Sequence, residues 1–200
     1  MLAPDPAALI GPGAGPVSDR GGPIGGGLGV DRVFLGEGAA RDIADHGRRA
    51  YPEEACGFLV GPLPRDGRGR HVERIRPTTN AAVADRSRRY RIVPADLHAT
   101  ERTLARSGAS VLGFYHSHPD RPARPSAYDE RRAWTGYCYL ILAVGASGAG
   151  ELAAFELDGA TGRFRALSLG DPRAGYAGEP ATPASAAEGA YRTVGVSEEP

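Results

Sequence analysis

The residues best able to do chemistry lie in one stretch: His116-Ser-His118-Pro, seven residues from 119 to 125, then Ser126, two residues, and Asp129. In an extended strand, side chains at i and i+2 share a face, so His116 and His118 can direct both imidazoles at one ion. Pro119, Pro122 and Pro125 stiffen the loop between them and Ser126. Ser126 suits the N-cap of a following helix, which puts Asp129 at its third position, one turn away and near the same end. Asp129 then offers a third ligand. Two neutral imidazoles and one carboxylate leave a position open for water, the pattern of a catalytic rather than a structural zinc site. A zinc ion held this way lowers the pKa of water to roughly 7 and polarises a carbonyl oxygen.

Hydrolysis at such an ion also needs a group that takes a proton from water and gives it to the leaving amine. Glu54 is the candidate, since it stands at the start of the apolar run Ala55-Cys-Gly-Phe-Leu-Val60, where a core strand can carry it to the metal without making it a ligand. Glu53 is its rival, and strand alternation turns it to the opposite face. The Ser126 hydroxyl can donate to an oxyanion, a role in which one donor is worth about 3 kcal/mol. Capping competes for that hydroxyl.

The elements that must position these residues follow from pattern. Val33–Leu35 reads as a short strand, and 37–50, rich in Ala and Arg, as a helix stopped by Tyr51-Pro52. The run 55–60, ended by Gly61-Pro62, and the run 72–76 read as a β-hairpin around a Gly-rich turn at 66–69. Pro94 opens a helix through Leu97 and Leu104 that Ser107-Gly108 ends. A strand from Ser110 to about Ser117 runs into the histidines. A short helix is expected from Pro125-Ser126 to about Ala133, then three strands in a meander: 137–144, 152–157 and 164–169. The sum is an α+β architecture, a mixed and mostly antiparallel sheet flanked by helices.

The chain has 200 residues, 41% hydrophobic and 24% charged, which suits one globular domain. Its 24 basic residues, all Arg, are balanced by 24 acidic ones, so no net field favours nucleic acid. The longest apolar stretch, 137–146, is about half of what a membrane span needs. The first residues lack the pattern of a secretory signal, and a cytoplasmic location is expected. Cys56 and Cys138 sit in apolar runs, better matched by buried thiols than by a disulfide. Residues 1–29 and those from 170 onward are rich in Gly, Pro and Ala without hydrophobic period and are expected to be disordered tails. The domain is expected at 30–169. The Arg-rich run 86–91 reads as a solvated edge, Trp134 as core, and 78–92 as one wall of a substrate channel.

The chemistry-bearing residues resemble the JAMM, or MPN+, metallopeptidases, whose signature is a distant Glu, then His-x-His, seven residues, Ser, two residues and Asp. Every position matches. The resemblance extends to Tyr51-Pro-Glu-Glu-Ala-Cys-Gly-Phe-Leu-Val-Gly61, similar to the family's Pro-x-Glu-x-Cys-Gly segment, and to Asn80, Tyr90 and 113–119. It implies the JAMM/MPN fold, which is cytidine-deaminase-like. It also implies zinc on His116, His118 and Asp129, Glu54 as general base and acid, and Ser126 as oxyanion donor. Family members hydrolyse amide or isopeptide bonds after the C-terminal glycines of ubiquitin-like proteins, including bacterial sulfur carriers. His46, His71 and His98 make no second metal cluster with the cysteines, so the chain is similar to the compact prokaryotic branch, which includes peptidases that release cysteine from a sulfur-carrier adduct. An inert scaffold of the same fold usually lacks ligands that are all present here, and a nucleoside deaminase wants His-x-Glu and Pro-Cys-x-x-Cys, both absent.

Overall fold

The structure is a computed structural model and describes residues 31–64 and 69–170. The two expected tails lie outside the described residues, apart from Gly170 in the last strand, as do residues 66–68 of the expected hairpin turn. Eight strands form one sheet: β1 Arg32–Leu35, β2 Cys56–Pro62, β3 Arg70–Val72, β4 Arg74–Thr78, β5 Ala109–Pro119, β6 Cys138–Gly145, β7 Gly148–Asp158 and β8 Arg163–Gly170. Their spatial order is β3-β1-β8-β7-β6-β5-β2-β4. Helices α1 Glu37–Ala50, α2 Pro94–Leu104 and the one-turn α3 Ala127–Glu130 complete the described elements.

Neighbouring residues of the central strands point to opposite faces and supply two cores. Leu59, Tyr115 and Leu140 pack with Ile43 of α1 on one side. Phe58, Phe114 and Tyr139 pack with Leu97 and Leu104 of α2 on the other. The helix faces follow the same arithmetic. Ala39, Ile43 and Gly47 make the buried stripe of α1, spaced by four, with Glu37 in its first turn and Arg48 and Arg49 in its last to suit the helix dipole. Gly47 lets α1 sit close, since a Cβ there would lie 2.4 Å from Leu142 Cδ2.

The meander of β6, β7 and β8 is antiparallel throughout, and β2 pairs antiparallel with β5. The β5–β6 pairing is parallel, with α3 in the connection between them. The expected hairpin is present but divided. β2 pairs with β4 from Cys56↔Thr78 to Val60↔Arg74, whereas Arg70–Val72 leaves to pair parallel with β1. The break falls at Glu73, whose N–H still donates to Val60 O. Stacking of His71 on Phe34 and the bond from Gly36 N–H to Val72 O hold the departed piece on β1. β4 reaches past Arg76 through Pro77, which a sheet edge tolerates. The short helix after Ser126 ends at Glu130 rather than near Ala133, although Ala133 N–H still bonds Asp129 O.

Cys56 and Cys138 are both free and buried. Trp134 packs partly buried on the α2-side core, its ring edge-on to Phe114. Among the described residues no helix is long and apolar enough to cross a membrane.

A candidate metal centre

His116 and His118 lie on one face near the C-terminal end of β5, a strand buried from Leu112 onward. Their Nε2 atoms are 3.1 Å apart. Asp129 meets them from α3, with Oδ1 3.5 Å from His116 Nε2 and Oδ2 3.7 Å from His118 Nε2. One ligand atom from each of the three lies within 4.8 Å of the others, so the group could hold one metal ion. These are the two imidazoles and the carboxylate expected from the spacing.

Local bonds fix each donor. Ser126 caps α3 in extended backbone: its Oγ accepts from Asp129 N–H, and Asp129 Oδ2 accepts from Ser126 N–H and Oγ–H at 2.7 and 2.6 Å. The capping spacing and the ligand spacing are therefore one device, and the Ser126 hydroxyl is committed to Asp129. In the loop before it, Asp120 takes a positive φ of 52° and donates its N–H to Val144 O, turning the chain back over β6. Pro122 O lies 3.0 Å from His118 Nδ1, and donation by Nδ1–H sets the tautomer that leaves a lone pair on Nε2. His116 is held instead by its ring, stacked on Tyr90 at 4.4 Å between centroids. Burial pushes the His116 pKa down, with Asp129 opposing, which favours the neutral, ligating form. Burial alone would raise the Asp129 carboxyl. The two histidines and Ser126 outweigh it and hold that group well below the usual carboxylate range.

Glu54 precedes β2 and is 2% exposed. The metal strand itself holds this segment in place. Ser117, between the two histidines and therefore on the opposite face of β5, accepts from Ala55 N–H at Oγ (2.8 Å) and donates its own N–H to Ala55 O (2.9 Å). From the other side, Glu54 N–H donates to Arg86 O, and Asn80 Nδ2 donates to Glu54 O and Arg89 O. Asn80 Oδ1 accepts from the N–H groups of Ala82 and Arg91, so this one amide closes the loop 81–91 beside Glu54. Burial pushes the Glu54 carboxyl up to about 8; the charge of Arg121 opposes this and that of Asp129 adds to it. Arg121 Nη2 donates to Glu54 Oε1. Glu53 points outward, half-exposed, toward Arg86.

A cleft of about 410 Å³ adjoins Glu54, between α1 and the end of β4, lined among others by His46, Ala50, Glu53, Thr78 and Asn80. His46 Nδ1 lies 2.8 Å from Tyr115 OH. Of the segment 78–92, Thr78, Thr79 and Asn80 line this cleft, and the Arg86–Arg89 part of the loop is exposed.

Arg121, Ser117 and the Pro122 carbonyl are the site features that the sequence reading missed. For Ser117 a signal existed, because a residue between two same-face histidines must turn to the opposite face of the sheet. Nothing local linked Arg121 to a glutamate 67 positions away.

A family model described as prokaryotic homologs of the JAB domain matches residues 36–158. A desampylase from Haloferax volcanii is 35% identical over 143 residues, covering 69% of this chain and 95% of that relative. A CysO-cysteine peptidase from Mycobacterium tuberculosis is 36% identical over 97 residues, covering 48% of this chain and 62% of that relative. The solution structure of a protein from Desulfitobacterium hafniense superposes with a TM-score of 0.59 at 29% identity, over 68% of this chain and 90% of that one. A matched span reaching from α1 to β7, with the mixed sheet and flanking helices, makes this chain a member of the prokaryotic JAB family of JAMM-type proteins.

Proposed function

We propose that the chain is a zinc-dependent peptidase that hydrolyses the amide or isopeptide bond after the C-terminal glycines of a ubiquitin-like or sulfur-carrier protein. The observation that carries this reading is the convergence of three buried donors, His116, His118 and Asp129, in a wall that also buries the carboxyl of Glu54. Two imidazoles and a carboxylate suit zinc, and a donor set of three is that of a reactive rather than a structural site. When bound there, the ion supplies Lewis acidity toward water and the scissile carbonyl.

The remaining work falls to side chains of this chain. Glu54 accepts the proton of the attacking water at its carboxylate and delivers it to the leaving nitrogen, which turns a poor amide leaving group into an amine. Burial makes that carboxylate a stronger proton acceptor than an exposed one. Ser126 has one hydroxyl proton, now given to Asp129 Oδ2. Donation to the substrate oxyanion requires that O–H to turn away while Oγ keeps accepting from Asp129 N–H. The cleft beside Glu54 lies at the end of the edge strand β4, and an extended Gly-Gly tail suits a strand edge because it brings no side chains to it. The names of the Haloferax and mycobacterial relatives support a carrier conjugate as substrate.

The test uses a synthetic peptide ending in Gly-Gly, joined through its C-terminus to the ε-amine of a lysine peptide. The zinc-loaded chain cleaves it after the second glycine, and Glu54→Gln keeps its zinc while losing turnover by several orders of magnitude. Undiminished cleavage by Glu54→Gln would remove Glu54 from the mechanism, and no cleavage of any Gly-Gly conjugate by the loaded parent would end the reading.

A further inference from the structure

The Glu54 carboxyl is held by a cation from the metal loop. Arg121 Nη2 and Glu54 Oε1 are in direct hydrogen-bond contact, with the glutamate side chain 2% and the arginine side chain 28% exposed. The loop of Arg121 is rigid for separate reasons: Pro119, Pro122 and Pro125 limit the backbone, Asp120 N–H bonds Val144 O, and Arg124 N–H bonds Pro122 O. The same seven residues thus set the tautomer of His118 through Pro122 O and the contact to Glu54 through Arg121.

Hydrogen bonding separates two roles for this pair. Arg121 Nε is buried without a partner, so the ion pair is incompletely satisfied and poorly built as a device for stability. On the glutamate, Oε1 is engaged, while among the described residues no hydrogen bond is made to Oε2. One oxygen is pinned and the other is left for chemistry.

We infer that Arg121 is a positioning residue for Glu54: its bond to Oε1 fixes the rotation of the carboxyl and leaves Oε2 as the oxygen that handles the proton. This rests on the peptidase reading above. Arg121 acts through Glu54. A guanidinium suits the task better than an ammonium because its rigid fork sets direction as well as charge.

The experiment compares the zinc-loaded full chain with Arg121→Met and Arg121→Lys on the same Gly-Gly lysine conjugate. Arg121→Met lowers kcat by about 10- to 100-fold, the scale on which misplacing a catalytic group acts, with KM within about twofold of the parent and zinc content unchanged. Arg121→Lys recovers part of the loss. A kcat within about twofold of the parent in Arg121→Met, or a loss confined to KM, overturns the inference. Should Arg121→Met fail to fold because the buried carboxyl has no partner, Arg121→Lys decides: a kcat loss of about threefold or more at unchanged KM supports the inference, and parental kcat overturns it. A crystal structure gives a readout independent of turnover. The Glu54 carboxyl adopts more than one orientation once the fork is gone, and a single unmoved carboxyl in Arg121→Met or Arg121→Lys overturns the positioning role whether or not the conjugate is cleaved. Failure of the parent to cleave, with a displaced carboxyl in the variant, would instead fault the substrate reading.

Discussion

Glu54 should make the metal-free protein lose stability as pH rises through neutrality, and Glu54→Gln should abolish that loss. Its carboxyl is pushed up to about 8 by burial, from the 4.5 of an unperturbed group. Between those values the folded chain keeps a proton that the unfolded chain releases, so the native state binds more protons and stability falls with pH. The contribution is fully present below about pH 4.5 and is lost as pH rises through about 8. Integrated over the upper part of that window, from about pH 6.5 to about pH 8.5, the loss is roughly 2 kcal/mol. Glu54 is 2% exposed, so little of this is screened by solvent. His116 acts in the opposite direction, since a lowered pKa adds stability as pH rises toward 6.5, but it acts equally in both proteins. The assay is urea unfolding of chelator-treated parent and Glu54→Gln at the two pH values, followed by circular dichroism. The parent should lose roughly 2 kcal/mol more than the variant over that interval. Parallel behaviour of the two would mean that Glu54 ionises in the native state as an ordinary carboxylate, and the burial argument would be wrong.

Three further outcomes follow from the contacts. Ser126→Ala removes both its Oγ bonds to Asp129; urea unfolding should show a loss of about 1 kcal/mol, and competition with a chromophoric chelator a zinc affinity about tenfold weaker, whereas unchanged affinity would separate the cap from the metal centre. Gly47→Ala should cost about 1–3 kcal/mol by overpacking against Leu142; a urea midpoint equal to the parent's would show that α1 is free to back away. Asn80→Ala opens the loop 81–91 at its neck, and trypsin should cut at Arg86, Arg88 or Arg89 several times faster than in the parent, with an equal cutting rate counting against the closure described.

The group of His116, His118 and Asp129 that could hold a metal ion was legible because both of its spacings are local. A two-residue period puts His116 and His118 on one face, and a capping spacing brings Asp129 back to Ser126, so neither needed knowledge of the rest of the fold. The strand runs and α1 were readable from periodicity for the same reason. What stayed hidden depends on long-range pairing. The departure of Arg70–Val72 to β1 answers to Phe34 and Gly36, residues more than thirty positions earlier, and no pattern inside 70–76 announces it. Arg121 looked like one more charge in an arginine-rich chain until folding placed it on the carboxyl of Glu54, 67 positions away. The half-buried Tyr90 lay inside a run that reads as solvated edge, and only its stacking on His116 shows that one residue of that run faces inward.

The central claim is that amide hydrolysis occurs at one ion held by His116, His118 and Asp129. Its most direct test is a titration of chelator-treated protein with zinc while initial rates are read on the Gly-Gly lysine conjugate. The account predicts a rate that climbs linearly and breaks at a single equivalent per chain, with no rise at all in His118→Ala. A full rate before any zinc is added, or the same break in His118→Ala, would contradict it.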